Sequence, residues 1–459
     1  MFTFFRPVFR FMTRNTRSSA TSGSRWAAPG HITLLLLALS FFSGLHAQVT
    51  TTWTSGSANW STGANWDNGV PGSSDTAVID NGGTANLVDP GSAQVLTVGD
   101  STGSGSFSIA GGALTVGLTS EIGVNGIGAA TISSGSWSSV SNLIVGQGSS
   151  GTVTIAGGTV SAANVRLGDS SGTGILSQTG GMLTTGSIIK GSGSGTLTLA
   201  GGTLRATANK ANFLSGFTTG DVQLGTGGVV IDSNTRTIGI ATVLQGSGGL
   251  TKEGSGTLSL SGANSYTGAT TINLGTLRVS GSIAASNITT VNSGGTLGGT
   301  GTVGATSVNG GTIAPGNSPG TLTVNGDFTA TSGTLSFEMA SPTSDQLVIS
   351  GNNRLLTGNT TGAVTISLLD FNSTASMGTY TLISVVGTGI TTSDWGLSAF
   401  TLITPAHWGQ SYLSMGSNGF DLELTLIPEP GTVALLAGLA TLGVTAIVRR
   451  RRIRLTRGL

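Results

Sequence analysis

The stretch GTVTIAGGTVSAANVRLG, Gly151 to Gly168, alternates apolar and hydroxyl side chains and then bends at a pair of glycines. Val153 and Ile155 are separated by Thr154, and Gly157-Gly158 follows at once. Period-two alternation closed by such a pair reads as a short strand with one buried face. The design recurs on either side. SIAGGALTVG, TISSGSWSSV, SQTGGMLTTG and TLAGGTLRAT align with it through Gly112, Gly135, Gly158, Gly181 and Gly202, at steps of 23, 23, 23 and 21. A second series, Gly99, Gly123, Gly146, Gly168 and Gly191, steps by 24, 23, 22 and 23. Two glycine series on one period define an internal repeat the size of one solenoid coil.

The expected fold is therefore all-β: a parallel β-helix, or β-solenoid, with coils of about 23 residues. Val, Ile and Leu stack inward, Thr and Ser point outward on strands their β-branching favours, and Gly takes the corners. No stretch of the body shows a helical period with caps. The exception is a C-terminal apolar segment, read below as a transmembrane helix.

Composition agrees with a repetitive exported chain. Of 459 residues 77 are Gly, and only 8% are charged. That is too little charge for an ordinary soluble enzyme and too many aliphatic residues for simple disorder. The chain has no Cys, which excludes disulfides and thiolate metal sites. The formal charge of +1 hides an asymmetry. Five arginines lie before Trp26 and six after Val448, which leaves eight basic residues against 18 acidic ones in the body. A body this negative is no nucleic-acid binder. Nothing calls for a cofactor.

The basic ends are addresses. Residues 1–47 read as a signal peptide: a long basic region, the apolar ITLLLLALSFF from Ile32 to Phe42, and small residues before cleavage after Ala47. Met12 is an alternative start within the long basic region. At the other end, Thr432 to Val448 is uncharged and just long enough to span a bilayer core. Arg449, Arg450, Arg451 and Arg452 follow as a basic stop signal. Pro428, Glu429 and Pro430 precede the span and keep the chain extended there. This three-part tail, residues 427–459, resembles the PEP-CTERM sorting signal of Gram-negative bacteria. The resemblance implies an inner-membrane-anchored precursor, processing by an exosortase-type enzyme, and then the cell surface or extracellular matrix.

A second resemblance lies in the body. GGLTKEGSGTLSLSGANSYTGATTINLGTLRVSG, Gly248 to Gly281, is similar to the autotransporter-associated β-strand repeat, through Gly249-Leu250-Thr251-Lys252, Gly256-Thr257-Leu258, Gly262 to Gly268 and Gly275-Thr276-Leu277. Gly310 to Phe328 and Thr52 to Asp80 also resemble segments of such passengers. No translocator barrel follows, so self-secretion is not expected of this chain. The expected organisation is an N-terminal cap and first coils over 48–98, β-helix repeats over 99–330, a C-terminal β capping region over 331–426, and the sorting tail with its helix over 432–448.

Catalytic candidates are sparse. His407 is the one body histidine and reads as a surface or capping residue. GDSSG at Gly168 to Gly172 has the form of a nucleophile segment, but GDSTG stands at Gly99 to Gly103, three coil lengths earlier, so both read as Asp-Ser corners. Arg166, Asp169 and Lys190 are placed to meet across adjacent coils as a solvated charge group. Trp53, Trp60 and Trp66 allow two readings: indoles that stack on sugars, or a plug in the open end of the first coil. The plug is the better one. The expected role is structural or adhesive and not enzymatic, with extracellular polysaccharide a further partner. The alternative is a polysaccharide-active β-helix enzyme, a lyase or glycosidase. A groove lined by at least three carboxylates or basic residues favours the enzyme; a uniform Ser/Thr/Asn surface favours the structural role.

Overall fold

The computed structural model describes residues 48–427 apart from 341–342, 353, 359–361, 371–374, 407 and 409. The described residues all belong to one compact unit. The signal peptide, Pro428-Glu429-Pro430, the span Thr432 to Val448, the arginines after it and His407 all lie outside the described residues. Among the described residues no helix is long and apolar enough to cross a membrane.

The body is a parallel β-solenoid whose coils each lay down three strands. One coil shows the plan. Ser150–Ile155 forms the first face, Gly157-Gly158 turns the chain, and Thr159–Leu167 supplies the second and third faces, bending where its register shifts between Ala162 and Asn164. The next coil repeats this with Thr173–Gln178, Met182–Thr185 and Ile188–Lys190. Every rung pairs in parallel with the one before: Gly128 with Gly151, Gly151 with Gly174 and Gly174 with Gly195. Alternation places Val153, Leu176 and Leu197 in one inward column, all fully buried. Each such side chain contributes about 2 kcal/mol of burial.

Both glycine series lie along corners. Gly135, Gly158, Gly181 and Gly202 hold φ of 81°, 64°, 60° and 74°, a left-handed conformation that glycine adopts without a Cβ clash. Their neighbours Ser136, Thr159, Met182 and Thr203 are in one register column. Val98, Ile122, Val145 and Leu167 form another, so GDSTG and GDSSG occupy the same corner three coils apart.

Coil length changes along the axis while the columns of the third face stay in step. Leu258, Leu277 and Leu297 stack at steps of only 19 and 20 residues. On the third face Thr237, Thr257, Thr276, Thr296, Thr312, Thr334, Thr365 and Thr401 fall in one unbroken outward column. Parallel stacking therefore runs past residue 330, through Val364–Asp370 to Phe400–Ile403. The solenoid does not give way to a separate capping region there. Its closure is narrower: Leu422–Leu426 pairs antiparallel with Gly378–Val386 and with Ser411–Met415. Reversing direction ends the parallel stack, which an edge open to further rungs requires.

Some inward positions break the apolar rule, Gln178 among them. Gln178 stands between Ile155 and Leu199 and is fully buried. Its Nε2 donates to the Thr203 carbonyl at 3.0 Å, but its Oε1 has no partner among the described residues. An unsatisfied buried carbonyl costs about 1–3 kcal/mol. Gln178→Leu is expected to stabilise the protein by about 1 kcal/mol, read as a higher denaturant midpoint. A lower midpoint would show that the Thr203 carbonyl depends on this amide.

Candidate binding groove

The structure first settles where the singled-out side chains are. Trp53, Trp60 and Trp66 are 1%, 1% and 4% exposed. Trp66 meets Trp53 and Trp60 edge to face at 5.0 and 4.8 Å, and Trp60 meets Phe107 at 5.6 Å. The indole N–H of Trp66 donates to the Trp60 carbonyl at 2.9 Å. These rings fill the interior of the first coils. The sugar-stacking role allowed for them is corrected here, because no ring face is open to a ligand. Arg166 does meet Asp169, at 2.6 Å, but Lys190 turns away to Asp221 at 2.7 Å. The three do not form one cluster.

A groove forms elsewhere, on the second face, where the coils change length. Thr203–Ala206, Val229–Asp232 and Leu250–Glu253 are successive rungs there. Their register puts Arg205 beside Asp232 and Asp232 beside Glu253, all on the outer side. The turns at Asn234, Gly254 and Ser255, with Leu274, make a rim. The groove is open to solvent, and its volume is about 530 Å³.

The polar atoms in it are partly committed. Arg205 Nε donates to Asp232 Oδ2 at 2.7 Å, and the Asn234 backbone N–H donates to Asp232 Oδ1 at 2.7 Å. Asn234 holds φ at 55°, an αL residue stabilised by that bond. Asn273 Nδ2 donates to Glu253 Oε1 at 2.7 Å. Asn292 Nδ2 in turn donates to Asn273 Oδ1 at 2.8 Å, and Asn309 Nδ2 to Asn292 Oδ1 at 3.3 Å. The charged column thus continues along the axis as a ladder of amides. Beside it runs a row of hydroxyls, Thr251, Thr271, Thr290, Ser307, Thr329 and Thr357.

Beneath the groove lies Lys252, fully buried in a column between Ile231 and Ile272. Its Nζ donates to the carbonyls of Glu253, Gly254 and Leu274 at 2.8, 2.7 and 3.0 Å. Burial pushes its pKa down to about 8, against the opposing pull of Asp232 and Glu253. The ammonium ties two adjacent corners together and so holds the groove's rim. Near the C-terminal end a second buried ion, Asp345, is pushed up to about 6 by burial, although the Glu338 and Gly320 amides donate to it.

Comparison with known proteins bears on this same segment. The profile of the Passenger-associated-transport-repeat family matches residues 250–279. The solenoid carries an autotransporter-associated repeat. That stretch supplies Lys252, Glu253 and Asn273, so the repeat builds one side of the groove. The chain is also similar to the Adhesin BmaC autotransporter of Brucella suis biovar 1 (strain 1330), with 40% identity over 77 residues. The aligned part is 17% of this chain and spans only 2% of that relative's length.

Sequence reading missed the groove. Lys252 was visible as part of the repeat, but Arg205 to Asp232 is a step of 27 and Asp232 to Glu253 a step of 21. Neither matches the 23-residue period, so no ladder linked them.

Proposed function

We propose that this is an exported surface or extracellular-matrix protein with a structural or adhesive role. What carries the reading is the regular parallel solenoid with outward Thr and Asn rows, bearing a passenger-type repeat at 250–279. The partial similarity to a protein named as an adhesin supports the adhesive form of it. In this proposal residues 1–47 direct export. Pro428, Glu429 and Pro430 with the span 432–448 and Arg449 to Arg452 then act as a PEP-CTERM sorting signal read by an exosortase-type enzyme at the inner membrane.

The sorting part has its own test. Glu429→Ala is expected to leave the solenoid's stability within about 0.5 kcal/mol, since a charged residue between two prolines reads as a surface position and such substitutions change stability little. It is expected to make the protein accumulate as an uncleaved membrane form in a host that has an exosortase. Mass spectrometry of membrane and surface fractions decides. Identical processing of both proteins would leave a plain anchor in place of a sorting signal.

One observation favours the enzymatic alternative: Arg205, Asp232 and Glu253 meet the stated criterion of three charged residues in a single groove. Two carboxylates on neighbouring rungs are the minimum a glycosidase needs. Against this, both Asp232 oxygens already accept hydrogen bonds, one of them within an ion pair. The binding role therefore stands as the main proposal. Polysaccharide turnover that disappears in Asp232→Asn or Glu253→Gln would replace it with the enzyme.

A further inference from the structure

We infer that the groove of Arg205, Asp232 and Glu253 is a binding site for a neutral polysaccharide chain lying along the solenoid axis. The inference rests on the adhesive reading above and names its ligand class. Three observations carry it.

The first is the shape. A trough formed across successive rungs, with the amide ladder of Asn273, Asn292 and Asn309 leading on from it, accepts a long ligand and not a compact one. Rungs are about 4.8 Å apart, so Arg205 and Glu253 stand about 10 Å apart along the axis. That separation requires a ligand of at least two sugar units.

The second is the charge. One guanidinium and two carboxylates leave the groove with a net negative charge, and the guanidinium is already ion-paired with Asp232. A uronic-acid polymer, a phosphate polymer or a nucleic acid would be repelled. The charge therefore excludes anionic polymers, and the free donors and acceptor described next select a neutral one among the rest.

The third is the remaining hydrogen-bond capacity. Arg205 uses Nε on Asp232, while its two terminal nitrogens have no partner among the described residues. Glu253 Oε1 accepts from Asn273, while Oε2 has no partner among them. The groove thus offers free donors at one end and a free acceptor at the other. A hydroxyl both accepts and donates, so a polyol satisfies both ends with one kind of group. Val230 and the 43%-exposed Leu274 supply apolar surface for the C–H faces of the sugar rings.

The test uses the full mature chain and isothermal titration calorimetry. The probes are neutral hexasaccharides of β-1,4-glucose, α-1,4-glucose and β-1,4-mannose, with polygalacturonate as the acidic probe. At least one neutral hexasaccharide is expected to bind, and Glu253→Gln and Arg205→Met are each expected to weaken it tenfold or more. Melting curves of both variants show whether they remain folded, and Glu253→Gln keeps the acceptor toward Asn273. The inference is overturned if no neutral probe binds at millimolar concentration, if only polygalacturonate binds, or if neither variant changes the affinity. Retention of the protein on washed cells separates this from the wider reading. Unchanged retention with no hexasaccharide binding removes the groove alone, whereas absence of the wild type from the envelope removes the surface role and this inference with it.

Discussion

Gly151→Ala is expected to destabilise the solenoid by about 3 kcal/mol, a large effect for adding one methyl group. Gly151 does not need glycine for its φ. What forbids a side chain is proximity. A Cβ there would lie 2.0 Å from the Ile122 carbonyl oxygen and 2.4 Å from the Gly146 nitrogen. Those two atoms are themselves hydrogen-bonded at 2.7 Å. They belong to backbone, not to a flexible side chain, so relief requires one coil to separate from the next. Gly105, Gly128, Gly174 and Gly195 share the column in Cα register; the close approach recurs at Gly105, Gly128 and Gly174 and relaxes at Gly195, where the Leu167 carbonyl oxygen is 3.1 Å from such a Cβ. A solenoid is a chain of nearest-neighbour interfaces, and the damage is expected to be local. Hydrogen exchange should accelerate in the rungs holding Gly128, Gly151 and Gly174 before it does elsewhere. Gly56→Ala is the control, since a Cβ there meets nothing within 4 Å. Equal stability of Gly151→Ala and Gly56→Ala would mean that the coils are not packed as described.

Lys252→Met is expected to cost about 3 kcal/mol. Methionine fills the column between Ile231 and Ile272 and removes a buried charge, which is favourable. It also leaves the carbonyls of Glu253, Gly254 and Leu274 without the donor that now serves all three. The Glu253 carbonyl keeps the Ser233 amide at 3.0 Å and the Gly254 carbonyl keeps only a long bond from the Ser233 hydroxyl at 3.4 Å, so the loss falls first on the Leu274 carbonyl and then on Gly254. Each buried carbonyl without a partner costs about 1–3 kcal/mol, which outweighs the gain. The pH dependence supplies an independent readout. Burial lowers the folded-state pKa to about 8, below the roughly 10.4 of an unfolded lysine. Between those values the unfolded chain binds a proton that the folded chain does not, so wild-type stability rises with pH across that window. Lys252→Met should lack this rise. Denaturant titrations of both proteins at pH 8 and pH 10 check both claims, and equal midpoints at both pH values would show that water, not Lys252, satisfies the corner carbonyls.

The repeat was legible because it is written in glycine. Gly135, Gly158 and Gly181 turn corners with positive φ, and a conformation closed to most residues leaves a mark at each step. The inward columns were legible for a similar reason: a strand with one buried face must alternate, and Val153 and Ile155 around Thr154 do so. Burial also decided between the two readings of Trp53, Trp60 and Trp66, which composition left open. An indole beside Asn and Gly suits either a sugar or a core, and only packing against Phe107 distinguishes them.

What the tertiary structure alone decided is which residues of different coils stand side by side. Corners absorb insertions without disturbing the rungs, so separations of 27 and 21 residues both become one step along the axis for Arg205, Asp232 and Glu253. The eight outward threonines from Thr237 to Thr401 are hidden in the same way, since their steps shrink and then lengthen while the register holds. The sequence by itself determined a period, a buried face and the corner glycines, because each is enforced within a single coil by local sterics and by alternation. The groove, the lysine beneath it and the amide ladder depend on how neighbouring coils are stacked. That is set by backbone hydrogen bonds between rungs, which are blind to side-chain identity and so leave no local signature.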